Sequence, residues 1–387
     1  MRQVKKMASL AEVLADMDAR GVGDAERFRG MNEYLSYKAR QTDTPIDGAF
    51  ELTPLCNLDC KMCYVHLRPE QFQPGERLLT VEEWKTIIDQ AIDAGMLYAS
   101  LTGGECLTYP GFREIYLYLN SRGIKTSVLT NGRLLTEEMV ALFAKYPPGV
   151  LQVSLYGSNE EAYEKVCGHR AYQEVIDGIL RAKRAGLSIM LTLMPNRFMQ
   201  ENVEEWILRL LELELPYMIG GITLPPREET GRKKSEFEVD LNAYICLQCA
   251  NKNAVASFYN KDRETEEISY VPLDDIRQMD GLPCGGGHSA FHVNWKGELG
   301  PCASYIATVH IPVLNRGISV ALEEMKKCMQ RFRFPEECST CMLRKYCKSC
   351  PAEKMDCALN GPLNRSVCER LRKRIEAGLV HVESLGT

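Results

Sequence analysis

The chain has 387 residues, 45% of them hydrophobic and 26% charged, with a formal net charge of −5. That length supports a large core, either one big unit with a smaller one attached or two unequal units. The composition is that of an ordinary globular protein, and the acidic balance speaks against bulk binding to nucleic acid or to anionic membranes. No apolar run approaches the length of a membrane span, and the opening MRQVKKMASLAEVLADMD lacks the apolar core of an export signal. A cytoplasmic protein with no membrane partner is the expectation.

Residues 1–47 read as a charged helical lead-in, too short for a separate winged-helix domain that would bind a peptide leader. A βα alternation follows. GAFELT (48–53) is a short strand, and Thr80 with Glu83 forms a capping box ahead of VEEWKTIIDQAIDAG, a helix ending at Gly95. LYASLT (97–102), KTSVLT (125–130), LQVSLY (151–156), SIMLTL (188–193) and YMIGGITL (217–224) are further strands, apolar and β-rich as buried parallel strands are. Helices open after Pro110 and near Thr136, and AYQEVIDGILRAKRAG and ENVEEWILRLLELE supply two more. Residues 48–226 therefore predict an α/β fold, a partial (β/α)6 barrel of TIM type rather than the eight-unit barrel. LPPREETGRKKSEFE opens a polar bridging region over 227–280. Residues 281–387 are rich in cysteine and turns. They read as a smaller domain held by metal rather than by a core, with a last helix near 365–377.

Sixteen cysteines without an export signal point to metal ligation rather than disulfides. Cys56, Cys60 and Cys63 fall in LTPLCNLDCKMCYVH. Cys284, Cys302, Cys338, Cys341, Cys347, Cys350, Cys357 and Cys368 gather toward the C-terminus. Cys106, Cys167 and Cys328 read as buried structural thiols, and the lone pair Cys246 and Cys249 has no assigned role. The motifs sit just past the strands' C-terminal ends, the face that carries active sites in parallel barrels. Three thiolates at C-x3-C-x2-C can hold a four-iron cluster and leave one iron without a protein ligand. A zinc knuckle or a helical stripe is the alternative, although Asn57 and Asp59 favour a loop. Gly103 and Gly104 in TGGEC let backbone come close to a ligand. Asn131 in TNGR and Asn196 in LMPN either line the pocket or simply shape their loops.

The C-x3-C-x2-C spacing followed by Tyr64, the GGE loop and the SLYG stretch at the end of the fourth strand resemble the radical S-adenosylmethionine enzymes. The resemblance implies a [4Fe–4S] cluster on Cys56, Cys60 and Cys63, with S-adenosylmethionine chelating the open iron. Reductive cleavage would then give a 5′-deoxyadenosyl radical that abstracts hydrogen from substrate. It implies cofactor-binding roles for Tyr64, Gly103, Gly104, Glu105, Asn131, Ser154 and Asn196. Glu105 would accept from the cofactor's amino group, and Ser154 would meet its carboxylate or ribose. Cys106 stands where proline is usual, and Tyr156 where aspartate is usual.

The C-terminal pattern Cys284-x12-Gly297-x4-Cys302, Cys338-x2-Cys341-x5-Cys347-x2-Cys350 and Cys368 resembles the SPASM extension of radical enzymes that modify peptides. It implies two auxiliary [4Fe–4S] clusters, one on Cys338, Cys341, Cys347 and Cys368, the other on Cys284, Cys302 and Cys350. Fully ligated relatives add a cysteine shortly after the first, and GGGHSAF holds none. The second cluster thus keeps an open iron, able to take a substrate thiolate, or is closed by Cys357, Cys249 or a histidine. Zinc is the competing reading of the C-x2-C pairs. His288 and His292 read as structural. The implied protein is a radical SAM/SPASM oxidoreductase acting on a ribosomally made precursor peptide, a RiPP maturase forming a thioether or carbon–carbon crosslink. Its electrons would come from a donor such as flavodoxin or ferredoxin, and Arg227 is a candidate substrate contact. A sulfatase-maturing, formylglycine-forming enzyme and a non-catalytic zinc or iron–sulfur binding protein are the alternatives.

Overall fold

The βα alternation of the sequence becomes the centre of a nine-stranded sheet in the computed structural model. The structure describes residues 3–7, 9–21, 24–198, 203–220, 226–227, 230–231, 233, 237–259, 268–272, 284–347, 349–355, 357–380 and 382. The lead-in carries the expected helices, α1 (Leu10–Ala19) and α2 (Asp24–Gln41), but begins on a strand, β1 (Gln3–Met7). Its charged QVKKM gives no apolar alternation from which a strand would be read.

Six parallel strands follow in spatial order of sequence: β2 (Asp47–Glu51), β3 (Tyr98–Thr102), β4 (Lys125–Thr130), β5 (Leu151–Ser154), β6 (Ile189–Leu193) and β7 (Tyr217–Ile219). The rest of the expected sixth strand, 221–224, lies outside the described residues, as does most of LPPRE. Between the strands run α3 (Val81–Asp93), α4 (Phe112–Ser121), α5 (Glu137–Lys145), α6 (Glu160–Cys167), α7 (Tyr172–Arg184) and α8 (Val203–Glu212). The capping box forms as expected: Thr80 Oγ1 accepts from the Glu83 amide at 3.3 Å, and Glu83 Oε2 accepts from the Thr80 amide at 2.8 Å. Behind this cap, Trp84, Ile87, Ile88 and Ala91 recur at helical spacing and bury one face of α3 against the sheet.

The bridging region is more ordered than its composition suggests. It holds α9 (Leu241–Tyr259), which packs on α8, and β8 (Ile268–Pro272), which pairs in parallel with β1. LNAYICLQCANKN lacks a regular apolar stripe, so its helicity comes from tertiary contact rather than from pattern.

The sheet then continues into the C-terminal region. There β9 (Ala290–Val293) lies parallel to β2, and β10 (Glu298–Gly300) and β11 (Ile311–Pro312) extend it antiparallel. Phe291 meets Phe50 edge-on at 6.0 Å, and Phe291, Val293, Leu299, Met325 and Phe332 share one apolar cluster with Phe50 and Trp84. The core thus reaches α10 (Ile318–Met329) and Phe332, further than the cysteine-rich composition led us to expect. Regular structure thins only beyond it, to α11 (Glu336–Ser339), α12 (Pro351–Lys354) and the expected last helix, α13 (Arg365–Glu376), which packs on α9.

Candidate active site

At the C-terminal end of β2 the chain leaves the sheet as an irregular loop through Cys56, Cys60 and Cys63, as Asn57 and Asp59 foretell. The loop is stitched to the end of α6: the Asp59 amide donates to Cys167 O and the Lys61 amide to Val166 O, each at 2.9 Å. Its sulfurs take amide donors, Cys63 Sγ from His66 at 3.2 Å and Cys56 Sγ from Leu58 at 3.4 Å. Burial pushes the Cys56 thiol well up, and the neighbouring Cys60, Glu105 and Cys63 push it further. Such a trio is costly to ionise alone and stable when a cationic iron cluster neutralises it. This donor set fits a cluster bound by three thiolates.

Cys56, Cys60 and Cys63 form one wall of a 440 Å³ cavity, within the range of small-molecule sites. Tyr64, Gly103, Gly104, Asn131 and Ser154 line it too. Asn131 Nδ2 donates to Asn57 Oδ1 at 2.7 Å, tying the β4 loop to the cysteine loop. Tyr156, half-buried and hydrogen-bonded to Ser154, lines the wall beside it.

The glycine pair has a sharper reason than ligand access. A Cβ on Gly104 would stand 2.5 Å from the carbonyl oxygens of Pro54 and Leu55, and one on Gly103 would stand 2.5 Å from Thr53 O. The backbones cross here because the Gly104 amide donates to Thr53 O at 2.7 Å and the Glu105 amide to Leu55 O at 2.9 Å. Gly104→Ala is therefore expected to displace the cysteine loop. Anaerobic reconstitution should recover less iron in this variant, while Gly123→Ala, with open space about it but a φ of 74° that strains any side chain, should lose some stability and still recover the parent's iron.

Two of the expected cofactor contacts are engaged with the protein's own loops. Glu105 is not among the residues that wall the cavity. It is 1% exposed, and its carboxylate accepts from Leu107 N at 3.0 Å, Thr130 Oγ1 at 2.9 Å and Asn131 N at 2.7 Å. It fastens the β3 loop to the β4 loop, and burial raises its carboxyl above the usual range. Asn196 is also off the wall: its Oδ1 accepts from the Phe198 amide at 3.1 Å and its Nδ2 donates to Met194 O at 3.2 Å, so it shapes its own turn. Sequence reading missed Gln152, Thr192 and Met194 on the wall. Their signal is the period of two that puts Gln152 beside Ser154 and Thr192 beside Met194 on one strand face. Cys106 and Cys167 are buried away from the cavity, Cys106 Sγ donating to Leu129 O at 3.2 Å, as expected of structural thiols.

A buried ion cluster flanks the cavity. Arg227 donates both Nη atoms to Glu51, at 2.7 and 2.6 Å, and its guanidinium lies 5.8 Å from the Tyr64 ring centre. His292 of β9 stands 3.2 Å from Glu51 Oε2, a structural place, as expected. Burial opposes the charge on Glu51, but Arg227 and His292 outweigh it and hold the carboxyl down at about 2. Arg227 also borders a second, 630 Å³ cavity with Trp295, Lys296, Thr308, His310 and Cys357. Val65 borders both cavities.

All sixteen cysteines are free of disulfides. Cys338, Cys341, Cys347 and Cys368 line one 70 Å³ cavity beside α13. Cys302 and Cys350 are half-buried, and both feel Cys284. Among the described residues no three His, Cys, Asp or Glu side chains converge on a single ion. Thiols spread around a wall suit a cluster instead, where each meets its own iron.

A parallel sheet whose C-terminal edge carries a three-thiol loop, opening on a ligand-sized cavity, defines a cluster-dependent enzyme of the radical type. The comparisons agree. Residues 50–210 match the Radical SAM superfamily. A probable GTP 3′,8-cyclase of Aeropyrum pernix is 32% identical over 267 residues, 66% of this chain and 73% of that protein. The chain belongs to the radical SAM superfamily. The PqqA peptide cyclase of Rhizobium meliloti is 25% identical over 342 residues, 86% of this chain and 89% of that protein. Streptococcus suis SuiB bound to precursor peptide SuiA shares the fold with a TM-score of 0.62 at 17% identity, over 84% of this chain and 76% of that one. Native anSMEcpe with bound AdoMet shares it with a TM-score of 0.67 at 16% identity, over 87% and 97%. Among the described residues no helix is long and apolar enough to cross a membrane.

Proposed function

We propose that this radical SAM enzyme modifies a ribosomally made precursor peptide, closing a thioether or carbon–carbon crosslink with the help of two auxiliary [4Fe–4S] clusters. The observation that carries the reading is the meeting of two cavities at Val65, one walled by Cys56, Cys60 and Cys63, the other reaching the C-terminal cysteines at Cys357. A peptide in the larger cavity would present a side chain toward the smaller one. The likeness to a PqqA peptide cyclase along most of both chains supports a peptide substrate. So does the fold shared with SuiB, whose structure holds its precursor peptide.

When bound, the cluster and S-adenosylmethionine supply a primary carbon radical that takes a hydrogen atom from the substrate. The chain's own residues hold and shield. Ser154 and Gln152 offer polar contacts to the cofactor, while Tyr64 and Tyr156 close the wall against water. Glu51 fixes Arg227 at the wall of the larger cavity, so the guanidinium presents a fixed charge rather than a swinging one. A flavodoxin- or ferredoxin-type donor in the cytoplasm would supply electrons.

Anaerobic incubation with a reductant, S-adenosylmethionine and a cysteine-containing precursor peptide tests this. The expected product is lighter by a pair of hydrogen atoms, with the cysteine thiol no longer open to alkylation. An aldehyde at that cysteine would favour the formylglycine reaction instead. Zinc with little iron or sulfide in anaerobically purified protein would end both enzyme readings of the C-terminal cysteines.

A further inference from the structure

The reading of Cys284, Cys302 and Cys350 as ligands of an auxiliary cluster leaves one iron to account for, and the assignment of that iron's ligand rests on the same reading. Tyr305 is 1% exposed, and its hydroxyl finds no hydrogen-bond partner among the described residues. A buried hydroxyl without an acceptor is destabilising, so this place is incomplete without one. The thiols that bear on it are Cys350, Cys357, Cys302 and Cys284.

Backbone ties bring Cys357 there. Thr308 Oγ1, from the turn that begins at Cys302, donates to Cys357 O at 2.8 Å. The Cys357 amide donates to Ala352 O at 2.6 Å, which folds the chain back over α12 so that Cys350 and Cys357 flank one short helix. Cys357 takes a φ of 60°, a left-handed conformation that few residues other than glycine adopt, and neighbours must hold it. Two other candidates stand beside it. His288 Nδ1 meets Asp43 at 2.6 Å while its Nε2 is buried with no hydrogen-bond partner among the described residues, which makes His288 the rival ligand; Cys249 rides on α9, which packs on α8 and α13.

We propose that Cys357 supplies the fourth iron ligand of the cluster on Cys284, Cys302 and Cys350, and that the Tyr305 hydroxyl donates a hydrogen bond to that cluster. Each thiol gives up its proton to solvent as its iron–sulfur bond forms. No iron then remains open to a substrate thiolate. The cluster instead presents a ligated sulfur at the wall of the larger cavity, which Cys357 lines.

The test uses the full chain with Cys56, Cys60 and Cys63 all changed to alanine, reconstituted anaerobically, so that only C-terminal clusters contribute. Electron paramagnetic resonance of the reduced protein should not change when cyanide is added. Adding Cys357→Ala should make the spectrum respond to cyanide. Cys357→Ser, which offers an oxygen ligand in place of the sulfur at similar side-chain volume, should retain the iron and shift the Mössbauer signal of a single site. His288→Ala should leave both readouts as in the triad variant. A cyanide response before any change at Cys357 would overturn the proposal, because it marks an open iron. Spectra of both Cys357 variants identical to their parent would overturn it too. If the triad variant carries no iron at all, the cluster reading falls together with this one, and metal analysis tells that case apart.

Discussion

Cys60→Ala should abolish the reductive cleavage of S-adenosylmethionine and lower the reconstituted iron and sulfide by one cluster. Cys60 is 8% exposed on a loop stitched to the end of α6, with Cys56 and Cys63 on the same cavity wall. Two thiolates cannot hold the site as three do, and a cluster that lacks this corner has no fixed open iron. The loss should be complete, because no other described cysteine lines that cavity. Cys106→Ala is the contrast. Its thiol is buried away from the wall and donates to Leu129 O, so this variant should lose some stability and keep cleavage. Release of 5′-deoxyadenosine and methionine from dithionite-reduced protein checks both. Equal loss in the two variants would mean that the triad has no special role.

Arg227→Ala should give the largest loss of stability. Glu51 and Arg227 have side chains 2% and 12% exposed, and removing one partner leaves a buried charge without its counterion. Such removals cost about 3–5 kcal/mol. The pair also sets an acid limb. The Glu51 carboxyl is held below its ordinary 4.5, at about 2, so its contribution is full above 4.5 and fades as pH falls toward 2. Denaturant unfolding across that window should show stability falling with acid in the parent and a flatter profile in Arg227→Ala. The double change Glu51→Gln with Arg227→Met should recover much of the loss. A single variant as stable as the parent would show that the pair is not buried in solution.

The barrel and its cysteine loop are legible in the sequence because both have local signals. Buried parallel strands are short apolar runs, helices announce their caps, and thiol spacing survives without tertiary knowledge. Glu51, Arg227 and His292 are not legible. Arg227 and His292 lie 176 and 241 residues from Glu51, and only the fold brings them together. Part of the setting of Glu105 is hidden for a related reason. The acid beside the glycines is foreseen, but two of its donors, Thr130 Oγ1 and the Asn131 amide, come from the end of β4 and the residue after it. The extension of the sheet through β9 is hidden too. Four residues, Ala290–Val293, make too short an alternation to stand out, and their pairing with β2 spans the whole barrel in sequence.

The central claim concerns one iron, left without a protein ligand beside Cys56, Cys60 and Cys63 and reserved for S-adenosylmethionine. Its most direct measurement is the paramagnetic resonance spectrum of the reduced cluster in the 387-residue chain bearing alanine at the cysteines proposed to hold auxiliary clusters, before and after S-adenosylmethionine is added. We predict a changed spectrum, with broadening when the cofactor carries oxygen-17 in its carboxylate. A spectrum indifferent to the cofactor, in protein whose iron and sulfide match one full cluster, would contradict the account.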